Sequence, residues 1–171
     1  MRSSAASKHT AVGVKRSLNA QTASRPLRSL RLRTILTPVD FSKQSRDAAE
    51  HAARFARDFG ASLVILHALD PLLAAGQLES RKLRRLKAAS RKEAEQQLQA
   101  LGHKLAASGV RTRLMLRSGP AVEVVVTFAL KLKADLIVMA SQGRTGLSRL
   151  LVGSITERVV RAAPCPVLVV R

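Results

Sequence analysis

Cysteine, tryptophan, tyrosine and long apolar runs are scarce or missing in this chain, and each absence removes a class of function. A single cysteine, Cys165, in 171 residues rules out a disulfide framework and a cysteine-rich metal site. His9, His51, His67 and His103 show no ligand spacing. His67 falls inside an apolar strand, where a satisfied core histidine is the simpler reading. With four Phe and no Trp or Tyr, the chain offers no stacking surface for single strands or RNA bases. No apolar run approaches the roughly 18 residues that span a bilayer, so no membrane span is expected and the chain reads as cytoplasmic. No general base, Walker lysine or pair of metal-binding carboxylates stands out for fast phosphate chemistry.

What is abundant is positive charge, a net +19. Residues 1 to 33 hold eight Lys or Arg and no acid, leaving 22 basic against 11 acidic residues beyond them. The body is therefore basic as well. A positive surface favours nucleotide, nucleic acid or acidic lipid without choosing among them. The stretch from Met1 to Arg31 is rich in Ser, Ala and Arg and has no h-region, which excludes a secretory signal. It matches an organelle transit peptide or a disordered basic arm. The arm is favoured, because too little of the stretch is apolar to build a core. The chain divides into a basic extension over residues 1–32 and one domain over 33–171, large enough to fold without disulfides.

From Arg33 onward, apolar strands alternate with helical patterns. Thr34 to Asp40 is a strand, and Ser42 is placed to cap the helix after it, whose apolar face is Ala48, Ala52, Phe55, Ala56 and Phe59. Gly60 suits the end of that helix. Ser62 to Ala68 is a second strand, apolar enough to be covered on both faces. Asp70-Pro71 breaks the chain. A long charged helix then runs from about Gln77 to Ala107 on the apolar line Leu83, Leu86, Ala94, Leu98, Leu101 and Leu105. The basic cluster Arg81 to Lys87 reads first as a solvated face and second as a nucleic-acid or membrane contact. Val110 to Arg117 alternates in period two, as for a strand near an edge. Val122 to Phe128 is β-branched enough for a strand, but Pro120 in the first turn and the roughly 14 residues available between strands make it a helix. Leu136 to Met139 and Cys165 to Val170 are the last strands, with a helix over Ser154 to Ala163 between them. Such alternation implies an α/β fold, a parallel sheet covered by helices on both sides, with ligands bound beyond the carboxyl ends of the strands.

The loop after the fourth strand is the most informative segment. Gly143, Gly146 and Gly153 lie between that strand and the helix starting at Ser154, with Arg144 and Arg149 in the same loop. Flexible backbone leading to a helix amino end, with its free N–H groups and partial positive charge, suits phosphate. The plainer reading is a surface loop before a well-capped helix, with Ser154 and Glu157 as a capping box. Asp40, after the first strand, would meet the loop if strands one and four are neighbours. It either reaches a ligand there or caps the first helix.

These residues resemble the universal stress protein family. The matching segments are Ile35 to Ser42, Val64 to His67, Ala134 to Met139, Gly143 to Gly146, Leu150 to Val159 and Ala163 to Val170. The likeness covers residues 32 to 171, in order and with normal spacing. It implies a three-layer sandwich with a five-stranded parallel sheet of order 3-2-1-4-5, paired into a homodimer through the last strand, Pro166 to Val170. Members that bind ATP carry a glycine, two residues, a second glycine, nine residues, then Gly-Ser or Gly-Thr. Here Gly143, Arg144 to Val152 and Gly153-Ser154 fit the second half. Gln142 stands where a histidine is common, and Ala140 replaces the first glycine, which implies weakened ATP binding. The resemblance sets Pro38, Val39 and Asp40 near adenine and ribose and Ala68 at the base edge. Met139, Ala140, Gly143 and Arg144 would line the loop, and Gly153, Ser154, Ile155 and Thr156 would hold phosphates, with any Mg or Mn bound mainly by the phosphates. The function implied is an ATP-binding stress-response regulator, with slow hydrolysis at most. The alternatives are a nucleotide-independent dimeric module, and a binder of nucleic acid or anionic surfaces through the basic arm.

Overall fold

The computed structural model describes residues 31–69, 81–143 and 152–171. The basic extension up to residue 30, the Asp70-Pro71 break, the helix start near Gln77, and Arg144, Gly146 and Arg149 of the glycine loop lie outside the described residues.

Among the described residues, five strands and four helices alternate: β1 (Thr34–Pro38), α1 (Lys43–Phe59), β2 (Ser62–Leu69), α2 (Arg81–Ala106), β3 (Thr112–Ser118), α3 (Ala121–Lys131), β4 (Leu136–Ala140), α4 (Ser154–Ala162) and β5 (Val167–Val170). The strands form one sheet of order β3-β2-β1-β4-β5, parallel throughout. β1 and β4 are neighbours, and strand order reverses between them.

Both faces of the sheet are covered, which is why its central strands are apolar at successive positions. Ile35, Leu63, Ile65 and Val138 face α1 and α2, in one cluster with Ala49, Ala52, Leu98 and Leu101. Leu36, Val64, Leu66, Ile137 and Met139 join Val125 and Val159 on the other face. The buried face of α1 is alanine-rich, with Ala48, Ala49, Ala52, Ala53 and Ala56 all buried, and such small side chains let the helix lie close to the sheet. Its ends follow local chemistry. The Ser42 hydroxyl accepts from the Ser45 N–H at the start, and Gly60 closes the helix at φ 66°, which glycine adopts without a Cβ clash. At the other end of the sheet, the Asp135 carboxylate accepts from the N–H groups of Arg33 (2.8 Å) and Thr34 (2.9 Å) and fixes the entry to β1. Leu32 is buried, so the core begins inside the stretch assigned to the extension.

Three details differ from the sequence expectations. Leu86 is 56% exposed and Phe59 45% exposed, although helical spacing set both on buried lines. The sheet is too short to cover the full length of α2, and Phe59 sits in the last turn of α1, stacked on Phe55 at 6.3 Å. Ser154 is the first residue of α4 rather than its cap. Gly153 takes the cap position with no side-chain hydrogen bond, and Glu157 pairs with Arg161 at 2.9 Å instead. The expected capping box does not form.

Thr37, the fourth residue of β1, is fully buried, and its hydroxyl has no hydrogen-bond partner among the described residues. A buried unpaired hydroxyl costs stability, whereas an apolar isostere does not. Thr37→Val should therefore stabilise the fold by about 1 kcal/mol in urea unfolding. A loss of stability would mean that the hydroxyl has a partner.

Candidate functional site

The carboxyl ends of β1 and β4 meet at the reversal of strand order, where open parallel sheets bind ligands. β1 leads through half-buried Pro38 and buried Val39 into half-buried Asp40. Both main-chain groups of Val39 are engaged. Its N–H donates to Leu66 O (2.9 Å), and its carbonyl lies 2.7 Å from His67 Nδ1. A carbonyl only accepts, so Nδ1 carries the proton. The His67 ring also rests against Phe41, with centroids 4.3 Å apart. The histidine is satisfied as expected, but it is half-buried at the edge of the core rather than inside it, and it braces the chain directly before Asp40.

Phe41 has φ 64°, an uncommon value for a residue with a side chain. The turn it makes is held by short polar contacts. Asp40 Oδ1 accepts from the N–H (3.0 Å) and the hydroxyl (2.6 Å) of Ser42, and the Asp40 N–H donates to Ser45 Oγ (3.3 Å). Ser42 caps α1 and Asp40 braces the cap, so the aspartate is not itself the cap. Sequence reasoning gave Ser45 and Phe41 no role here. The Asp-x-Ser spacing, a signal for a local Asx turn, was the available clue to this network.

The glycine loop comes to the same point. A Cβ on Gly143 would sit 2.6 Å from Asp40 Oδ2, so only glycine fits without displacement. The expected meeting of Asp40 with the loop is present. Ala140, where the family pattern has glycine, is buried at the end of β4. It is not among the described non-glycine residues with positive φ, which are Phe41 and Lys133. Its methyl group therefore causes no backbone strain. Met139 is buried as well, and Ala68 lies near the end of β2, half-buried.

Beyond the loop, the chain returns to the β4 exit before α4 begins. The Gly153 N–H donates to Ser141 O (2.7 Å), and the buried Thr156 hydroxyl donates to Ala140 O (2.9 Å). The Thr156 side chain is thus spent inside the fold, leaving its N–H as its group for an anion. Ser154 and Ile155 are exposed, and no side chain caps this helix end. First-turn N–H groups have no intrahelical acceptors, and the helix dipole adds partial positive charge there. Free N–H groups of this kind suit an anionic group, and the Asp40 carboxylate can accept from a hydroxyl.

Other features lie elsewhere. A cleft of about 260 Å³ among Thr34, Ser62, Arg113 and Leu132 sits at the amino ends of the strands and touches no candidate residue. Among the described residues, no group of three or more His, Cys, Asp or Glu is placed to hold a metal, and no helix is long and apolar enough to cross a membrane. Burial, and secondarily Asp135, raises the Cys165 thiol above its ordinary pKa, which leaves it protonated and unreactive at neutral pH.

The model of the universal stress protein family matches residues 31–171. The chain belongs to that family. It is 35% identical to universal stress protein MJ0531 of Methanocaldococcus jannaschii over 137 residues, 80% of this chain and 81% of that one. It is 36% identical to a universal stress protein of Thermus aquaticus over 143 residues, 81% of this chain and 98% of that one. Among solved structures, protein MJ0577 superposes with TM-score 0.73 at 28% identity, over 82% of this chain and 96% of its own. UspA of Lactobacillus plantarum superposes with TM-score 0.72 at 27% identity, over 82% and 99%. The five-stranded α/β architecture matches this universal stress protein fold.

The Thr156 hydroxyl gives a test of how α4 is held. Thr156→Val keeps the shape but leaves Ala140 O unpaired, so stability should fall by about 1–3 kcal/mol in urea unfolding without any ligand. An unchanged midpoint would show that the hydroxyl is not needed by the fold.

Proposed function

We propose that this universal stress protein binds an adenine nucleotide, ATP in the first instance, and acts as a stress-response regulator without fast turnover. The observation that carries the reading is the close approach of Gly143 to the Asp40 carboxylate, which leaves no space for a Cβ, beside the uncapped start of α4. In the proposed complex Asp40 and Ala68 flank ribose and adenine, with Pro38 and Val39. The polar main-chain groups of Val39 are already used, so it offers the base apolar contact. Met139, Ala140 and Gly143, together with Arg144 from outside the described residues, line the loop. The N–H groups of Ser154, Ile155 and Thr156, the Ser154 hydroxyl and the close backbone at Gly153 receive the phosphates. A divalent ion, Mg or Mn, would be carried in by the phosphates.

Universal stress proteins have been solved in complex with cAMP and, from Archaeoglobus fulgidus, with dAMP. Both are related to this chain at the level of fold, so the reading rests on the residues above. Ala140 takes the family's glycine position without positive φ, which favours a site that is retained but weakened.

The proposed molecule is a homodimer. Every residue of β5 is only half-buried, and among the described residues β5 pairs on one side alone, with β4. Exposed Val152 and Val160 add apolar surface at either end of α4. An open apolar edge favours pairing with a second copy. Sedimentation should give a dimer at micromolar concentration, and a monomer there would remove this part of the reading.

The nucleotide reading is tested by calorimetry and by chromatography of the ligand released on denaturation. ATP should bind, and Gly143→Ala should weaken it about tenfold, a loss of about 1.4 kcal/mol, because the new Cβ must displace Asp40. No adenine nucleotide in the purified protein, together with no heat of ATP binding, would defeat the reading.

A further inference from the structure

α2 is longer than the sheet it packs on. Its 26 residues span about 39 Å, against about 26 Å for the eight residues of β2. α2 returns antiparallel after β2, so the excess lies at its amino end, over the carboxyl edge of the sheet. Burial agrees. Ala94, Leu98, Leu101 and Leu105 are in the core, and none of the described side chains between Arg81 and Glu93 is buried. The tether is on the packed half too, where Arg46 reaches Gln97 (3.0 Å) and Lys104 reaches Glu50 (2.6 Å).

The overhanging half is polycationic. Arg81, Lys82, Arg84, Arg85, Lys87, Arg91 and Lys92 precede the first acid, Glu93. The first turn contains no acidic residue, so cations crowd the positive end of the helix dipole, the reverse of the stabilising arrangement. At about 100° per residue, Arg81, Arg84, Arg85, Arg91 and Lys92 fall within an arc of about 120° that borders the buried line on the Arg91 side. All five are exposed. Arg91 is paired with Glu95 at 2.9 Å. Core packing does not account for this segment, and its charges oppose its own helix. An anionic partner would reverse the electrostatic cost.

We propose that residues 81–92 of α2 form a docking surface for the phosphate backbone of double-stranded nucleic acid, read without regard to sequence. The row runs about 16 Å along the helix, and a duplex presents one charge per about 1.7 Å of its axis. The charged arc contains no aromatic or large aliphatic side chain, so it suits phosphates and not unstacked bases. A helix lying in a lipid surface needs an apolar face. Here the large apolar residues are half-buried Leu83 and the single exposed Leu86. This surface lies at the same carboxyl edge as the proposed nucleotide site but shares no named residue with it and does not depend on it.

The test is fluorescence anisotropy of a mixed-sequence DNA duplex titrated with the full chain across a range of salt. Two fourfold variants are compared: Arg81→Gln, Arg84→Gln, Arg85→Gln and Lys92→Gln together, and the same number of cations removed from the extension at Arg2, Lys15, Arg16 and Arg25. The α2 variant should lower the slope of log affinity against log salt by about 3 to 4, close to 0.9 per cation. Its affinity at about 0.1 M salt should fall at least tenfold, and by more than that of the extension variant. Unchanged circular dichroism checks its fold, and the single change Arg85→Gln gives an independent reading, a slope lower by about 0.9. The proposal fails if the wild-type chain does not bind the duplex, or if the α2 variants bind with unchanged slope. It fails equally if the extension variant accounts for the whole loss, or if the chain binds phosphatidylserine vesicles and the duplex does not compete.

Discussion

Two hydrogen bonds decide where the positive end of α4 points. The Gly153 N–H is held by Ser141 O at 2.7 Å, and the Thr156 hydroxyl by Ala140 O at 2.9 Å. Both acceptors belong to the exit of β4, so the helix start is fixed to the strand whose neighbour is β1. Without this clasp the intervening loop would leave the helix free to begin elsewhere, and its unpaired N–H groups would face no particular ligand. With it, they stand beside the crevice formed by the reversal of strand order.

The opposite wall is as firmly set. Phe41 turns the chain at φ 64°, a conformation that persists only when its surroundings hold it. Ser42 and Ser45 hold Oδ1 and the N–H of Asp40, while His67 supports the carbonyl before it. The carboxylate is thereby presented to Gly143 in one orientation. In the proposed complex, a site of braced main chain and small residues would need little reorganisation to receive a ligand, which would offset the lack of long cationic side chains in its described part. The strong positive charge is concentrated elsewhere, on the overhang of α2 and in the extension.

Much of this architecture was legible in the residues. Ser42 and Gly60 mark the ends of α1 because capping and left-handed backbone are local requirements. α3 was recognisable against its β-branched composition, since Pro120 and chain length outweigh propensity. The approach of Asp40 to the loop followed from topology alone. Ser154 and Glu157 misled: their spacing permits a capping box, but Ser141 draws Gly153 into the cap position, and Glu157 is left to Arg161. Leu86 and Phe59 misled for a related reason. Periodicity tells which face of a helix is apolar, but not how far along it the sheet extends.

The sequence by itself determined the order of elements, the two-sided cover of the sheet, and the glycine positions that let backbone approach a ligand. These follow from side-chain pattern and from conformations that neighbouring residues enforce. Only the tertiary structure decided which hydroxyls are spent inside the fold, that a side chain at Gly143 would have to displace Asp40, and that no described side chain in the first half of α2 is buried. Each of those depends on which distant segment comes into contact, and a linear pattern carries no record of such distances.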